Sequence, residues 1–124
     1  MGIEEKSFGE YLSQLREAKD VTLRELARKI GVSAPFLSDV EKGRRAPLTA
    51  ERLELVASAL SLNDTEKTEM YNIAGRQRNT IPPDLPEYIM GRDYVSAALR
   101  TARDLDAGEE EWLRFVEELK KRKG

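Results

Sequence analysis

The chain has 124 residues, 40% of them hydrophobic and 35% charged, with a formal net charge of -2 and neither cysteine nor histidine. That length suits one domain, or one small domain with an appendage. The two missing residue types exclude a disulfide framework, a thiolate metal site and the usual imidazole general base.

An enzyme built this way would need carboxylates gathered in a pocket, and the acidic residues here fall on helix faces and caps; no enzymatic activity and no cofactor are expected. No stretch approaches membrane-spanning length, so the chain reads as cytoplasmic. Charge is split along it. From Arg24 to Arg45 six cations face three anions, a local charge of +3, whereas from Asn79 onward ten anions outnumber eight cations.

Helical periodicity dominates and no alternating strand pattern appears. Ser7 caps a first helix in which Phe8, Leu12, Leu15 and Ala18 recur on one face. Thr22 and Glu25 form a capping box for a second, "LRELARKI", which buries Leu23, Leu26, Ala27 and Ile30 and ends at Gly31. Ser33 caps a third helix reaching about Lys42, with Pro35 in its first turn, where a missing N–H costs nothing. Gly43 stops it. Thr49 caps a fourth helix with Leu53, Leu55, Val56 and Leu60 inward. Asp64 caps a fifth carrying Met70, Ile73 and Ala74. The stretch 79–92 then holds three prolines and a glycine, and reads as a linker with one helical turn near Glu87. Beyond it, "DYVSAALRTARDL" and "EEEWLRFVEELKKR" are separated by a break short enough to make an αα-hairpin. The expected organisation is all-α, with a domain over residues 1–78, a proline-rich linker over 79–92 and a hairpin over 93–124.

Between Leu23 and Pro47 the constraints converge. Ala27 stands where two helices cross closely, Gly31 supplies a positive φ and Val32 plugs the turn. Leu37 and Val40 face back onto the second helix. Together these describe a helix-turn-helix, in which one helix props another against the DNA major groove. Ser33, Ala34, Pro35, Ser38, Asp39 and Lys42 remain as an outward stripe on the third helix.

The stretch "LRELARKIGVSAPFLSDVEKGRRAP" resembles the Xre family of phage-repressor-like regulators. The resemblance covers roughly Phe8 to Ala74 and implies a five-helix, lambda-repressor-like DNA-binding domain. It also implies an ion pair between Arg16 of the first helix and Glu41 closing the third. On this reading helix 33–42 enters the major groove of double-stranded DNA. Thr22 and Ser33 stand at helix N-termini that suit phosphate, and Arg24, Arg44 and Arg45 contact the backbone without reading sequence. Two departures stand out. Leu23 replaces the family's usual polar residue, and Ala34, Pro35 and Asp39 stand where bidentate base readers are usual. Ala34 and Pro35 suit thymine methyls, Ser38 suits almost any base, and Asp39 either accepts from cytosine N4 or orients Lys42 or Arg44.

The hairpin carries more apolar surface than two helices can hide. Trp112, Phe115, Val116 and Leu119 line one helix; Val95, Ala98, Leu99, Ala102 and Leu105 line the other. Homodimerisation through Leu99, Leu105, Trp112, Phe115, Val116 and Leu119 is the leading expectation, giving a dimeric repressor that reads two half-sites. The alternative is an antitoxin-like protein whose hairpin binds a protein partner while the N-terminal domain represses its own operon.

Overall fold

The computed structural model describes residues 6–123, and the described residues form eight helices and no strand. They are α1 (Phe8–Ala18), α2 (Leu23–Ile30), α3 (Ala34–Glu41), α4 (Ala50–Ala59), α5 (Asp64–Arg78), α6 (Pro86–Ile89), α7 (Asp93–Asp104) and α8 (Glu109–Lys123). The chain divides into two compact units between Pro86 and Glu87.

Local chemistry sets the helix starts of the first unit. Ser7, Thr22 and Asn63 each accept from the third helical amide while Glu10, Glu25 and Glu66 return a carboxylate to the cap amide. Two orphan donors are satisfied at each of these ends. Ser33 and Thr49 cap α3 and α4 by the hydroxyl alone. Asp64, expected as the fifth cap, is instead the first helical residue. Asn63 takes the role because Glu66 lies three residues beyond it, and Asn63 Oδ1 accepts from the Glu66 amide at 2.7 Å.

Around one core, α2 packs against α3 and α4, and α1 packs against α3 and α5. Phe8, Leu12, Leu26, Ile30, Leu37, Val40, Leu53, Val56, Leu60 and Met70 are almost fully buried. Leu55 is exposed, since Leu53 and Val56 fix the inner face of α4 and a residue two past Leu53 cannot share it. Leu23, expected inside, is partly buried at the core's edge. The proline-rich segment after α5 folds back on that helix: a Cβ at Gly75 would lie 2.9 Å from Pro82 Cα, and Thr80 N–H donates to the Gly75 carbonyl at 2.9 Å.

The second unit holds α7 and α8, joined by residues 105–108, with Asp106 in the left-handed region at φ 57°. Gly108 N–H donates to Glu111 Oε1 at 2.8 Å, closing the N-terminus of α8. Neither helix buries a described side chain. An apolar groove of about 400 Å³ runs between them, lined by Tyr94, Val95, Ala98, Leu99, Trp112 and Phe115.

Candidate nucleic-acid interface

The candidate interface is α3 with the turn before it and the loop after it. Gly31 makes the turn possible: at φ 76° and ψ 33° it lets its own amide and that of Val32 return to the end of α2, Val32 donating to Ala27 at 3.0 Å. A side chain there would meet the left-handed penalty. Val32 packs against the core, and Leu37 and Val40 anchor the inner face of α3 with 0% and 1% exposure.

Two contacts hold the C-terminal end of α3 to α1. Arg16 Nε donates to Glu41 Oε2 at 2.8 Å and Arg16 Nη2 to Glu41 Oε1 at 3.0 Å, a bidentate fork. Its remaining amino group, Nη1, donates to the Val21 carbonyl at 3.0 Å. The hydrogen bond to Glu41 raises the Arg16 pKa above its ordinary value, against the opposing pull of burial. Second, Gly9 of α1 lies beneath the final carbonyls of α3, where a Cβ would stand 2.5 Å from the Val40 oxygen. The sequence gives no warning of this contact beyond an isolated glycine inside a helical pattern.

The outer face of α3 and its loop carry the remaining residues. Ser33, Pro35, Lys42, Arg44 and Arg45 are exposed, while Ser38 and Asp39 are partly so. Ala34, expected on the outward stripe, is partly buried and packs against the core. The Asp39 carboxylate lies 3.6 Å from Arg44 Nη1 and 3.8 Å from Arg45 Nε. Arg45 also stacks over Phe36, its guanidinium carbon 4.7 Å from the ring centroid, a cation–π contact that limits its wandering. No sequence pattern points to the role of Phe36, because the position of Arg45 above its ring follows from the loop path after Gly43. That path is fixed by Gly43 at φ 79° and by Arg44 N–H donating to the Asp39 carbonyl at 2.8 Å.

The two helix N-termini differ. At α2 the Thr22 hydroxyl accepts from Glu25 N–H at 3.1 Å and Glu25 Oε1 accepts from Thr22 N–H at 2.9 Å. These bonds hold the Glu25 carboxyl below its ordinary pKa, and they place a negative charge at the α2 terminus. The first turn of α3 has no acidic residue, and Ser33 Oγ accepts from Phe36 N–H at 3.1 Å. The positive end of α3 is therefore the better match for an anion. Arg24 is exposed in the first turn of α2; Arg28 and Lys29 sit in its last turn, where cations complement the helix dipole. Leu99, Leu105, Trp112, Phe115, Val116 and Leu119 all lie exposed in the second unit, Leu105 most of all at 78%. Among the described residues no helix is long and apolar enough to cross a membrane, and no cluster of acidic residues could hold a metal ion.

A family model described as a helix-turn-helix domain matches residues 7–70. Over 55 residues the chain is 42% identical to a Mycobacterium tuberculosis (strain ATCC 25618 / H37Rv) protein described as the uncharacterized HTH-type transcriptional regulator Rv0474, covering 44% of this chain and 39% of that one. Over 57 residues it is 39% identical to the HTH-type transcriptional repressor RghR of Bacillus subtilis (strain 168), covering 46% and 42%. The matches thus span about two fifths of each relative's length. A solved SinR protein/SinI protein complex contains a chain 21% identical, with a TM-score of 0.47, covering 94% of this chain and 97% of that one.

Proposed function

The chain belongs to the helix-turn-helix domain family, and from that premise we propose that it is a cytoplasmic DNA-binding transcriptional regulator acting as a dimeric repressor. The supporting observation is the pairing of Asp39 with Arg44 and Arg45 just beyond the short helix α3. Cations there meet phosphates on entry of α3 into the major groove, and Asp39 with the Phe36 ring biases where they stand. Asp39 organises these arginines, and Ser38, Pro35 and Lys42 remain as the contacts to base edges. The basic segment supplies sequence-independent attraction that the net charge of the whole chain conceals.

Bidentate readers of guanine or adenine are few on this face, so base contacts alone give modest discrimination. A dimer offsets that by reading two half-sites at fixed spacing. The exposed apolar faces of α7 and α8 support such a dimer, through Leu99, Leu105, Trp112, Phe115, Val116 and Leu119. The same faces suit a protein partner in the antitoxin-like manner, and a chain that stays monomeric alone would shift the reading there.

Genome-wide mapping of bound DNA, followed by gel-shift titration of the full chain on the recovered sequence, tests the function. A two-fold-symmetric motif is expected. Binding with no preferred sequence, or none at all, would remove the regulator reading.

A further inference from the structure

The apolar stripe of α8 has an internal symmetry, and the groove that Trp112 and Phe115 share with α7 leaves it only partly covered. Trp112, Phe115, Val116 and Leu119 are 39%, 50%, 40% and 42% exposed. On a helix advancing about 100° per residue, Trp112 and Leu119 fall near the stripe's midline and Phe115 and Val116 fall on either side of it. Reversing the helix about the point midway between Phe115 and Val116 returns the same stripe, with Trp112 exchanged for Leu119.

The charges follow the same symmetry with opposite sign. Glu109 and Lys120 flank one side of the stripe at its two ends, and Glu111 and Arg122 flank the other. Glu110, Arg114, Glu117 and Lys121 sit on the far face, where Glu110 and Arg114 pair within the helix at 3.6 Å, and Glu118 stands outside this symmetry on the Glu111 flank. Glu111 Oε1 accepts from Gly108 N–H at 2.8 Å, and its side chain stays exposed.

We propose that α8 pairs with α8 of a second copy in antiparallel register about a two-fold axis between Phe115 and Val116. This rests on the dimer reading above and specifies its geometry. Trp112 then lies against the second copy's Leu119, and the two Phe115–Val116 steps meet at the axis. Glu109 faces the second copy's Lys120, and Glu111 faces the second copy's Arg122, each pair occurring twice. Parallel pairing would set Glu109 beside the second copy's Glu111 and Lys120 beside the second copy's Arg122, which repels at both ends. Interfaces of this isologous kind are self-complementary by construction. The paired α8 also covers the open side of the groove that Trp112 and Phe115 share with Val95, Ala98 and Leu99.

The chain contains no cysteine, so single introduced thiols report the register directly. Full-length protein is oxidised at a concentration where sedimentation velocity shows its association state. Val116→Cys is expected to form a disulfide-linked dimer. Glu109→Cys alone is not, because the two copies of that position are about 20 Å apart along an antiparallel pair. Mixing Glu109→Cys with Lys120→Cys gives the cross-linked heterodimer. In a second arm, Glu109→Lys weakens self-association about fivefold, and adding Lys120→Glu restores it. Self-cross-linking at Glu109→Cys, or a dimer that cross-links at none of these positions, overturns the register while leaving the dimer standing. A chain that is monomeric at every concentration overturns both.

Discussion

Arg16 reaches across from α1 to grip Glu41, the last residue of α3, with both ends of its guanidinium, at 2.8 and 3.0 Å. The two side chains are only 13% and 9% exposed. Removing one partner therefore leaves the other in a site with little water to replace it. Arg16→Ala is expected to destabilise the first unit by about 3 kcal/mol, read from the urea midpoint. Replacing both residues together with apolar side chains of similar size should recover much of that loss. If the double variant is as unstable as Arg16→Ala, the pair is not acting as a charge couple. Loss of the third donor bond, from Arg16 to Val21, would then explain the effect.

Gly9 makes a second, purely steric, link between the same helices. An alanine there would place its Cβ 2.5 Å from the Val40 carbonyl oxygen and 2.7 Å from the Glu41 carbonyl carbon. Both obstacles are backbone, so relief requires α3 to move away from α1. Gly9→Ala is expected to cost about 2 kcal/mol and to lower DNA affinity further than that instability explains, since the displaced element is the groove reader. Gel shifts performed well below the unfolding midpoint separate the two effects. Unchanged affinity in a folded variant would mean that α3 tolerates the shift.

These two contacts show what local pattern can and cannot carry. The caps Ser7, Thr22, Ser33 and Thr49 and the stops Gly31 and Gly43 are readable because each depends on residues within a few positions. Asn63 rather than Asp64 caps α5 for the same kind of reason, the box with Glu66, and the spacing was there to be seen. Leu55 is apolar yet exposed, because two positions past Leu53 it falls outside the face that Leu53 and Val56 define. The Gly9 contact joins residues more than 30 positions apart, so it exists only once α1 and α3 cross. Phe36 gains its arginine partner from the path of the loop beyond Gly43, which no periodicity encodes.

Arg44 and Arg45 are expected to act on the DNA backbone. Arg44→Ala combined with Arg45→Ala should weaken binding to all sequences about equally and reduce the salt slope by about one unit for each lost phosphate contact. Phe36→Leu keeps the partly buried apolar bulk but removes the ring beneath Arg45. It should reproduce part of that loss with the slope nearly unchanged, because the charge remains and only its placement suffers. Identical affinity and slope in the double alanine variant would make the arginines ordinary loop charges.

Acid should loosen the first unit through its caps. Hydrogen bonding to Asn63 N–H, followed by the Lys19 ammonium at 3.1 Å, holds the Glu66 carboxyl below its ordinary value of 4.5. The amide of Thr22 does the same for Glu25. For a carboxylate whose folded pKa is depressed, the stabilisation is present above the unfolded value and is lost as pH falls through the folded one. Urea midpoints should therefore be flat near neutrality and fall below about pH 4.5. Glu66→Gln should be less stable at pH 7 and lose less on acidification. A variant with the full acid sensitivity of the parent would place the effect in other carboxylates.

The last expectation concerns Trp112, 39% exposed and set edge-on to Phe115 with ring centroids 6.3 Å apart. A monomer should hold DNA weakly, because a single module contributes a small interface. Joining two modules makes the second contact effectively intramolecular and raises affinity by roughly two orders of magnitude where the geometry fits. Trp112→Ala should thus lower the dimer fraction and operator affinity together, while the first unit keeps its unfolding midpoint, since its buried core is built from residues between Phe8 and Ala74. Light scattering and gel shifts on the same preparations test the coupling. A variant that stays dimeric, or one that becomes monomeric with unchanged operator affinity, would separate the hairpin from DNA binding and turn attention to a protein partner for its apolar face.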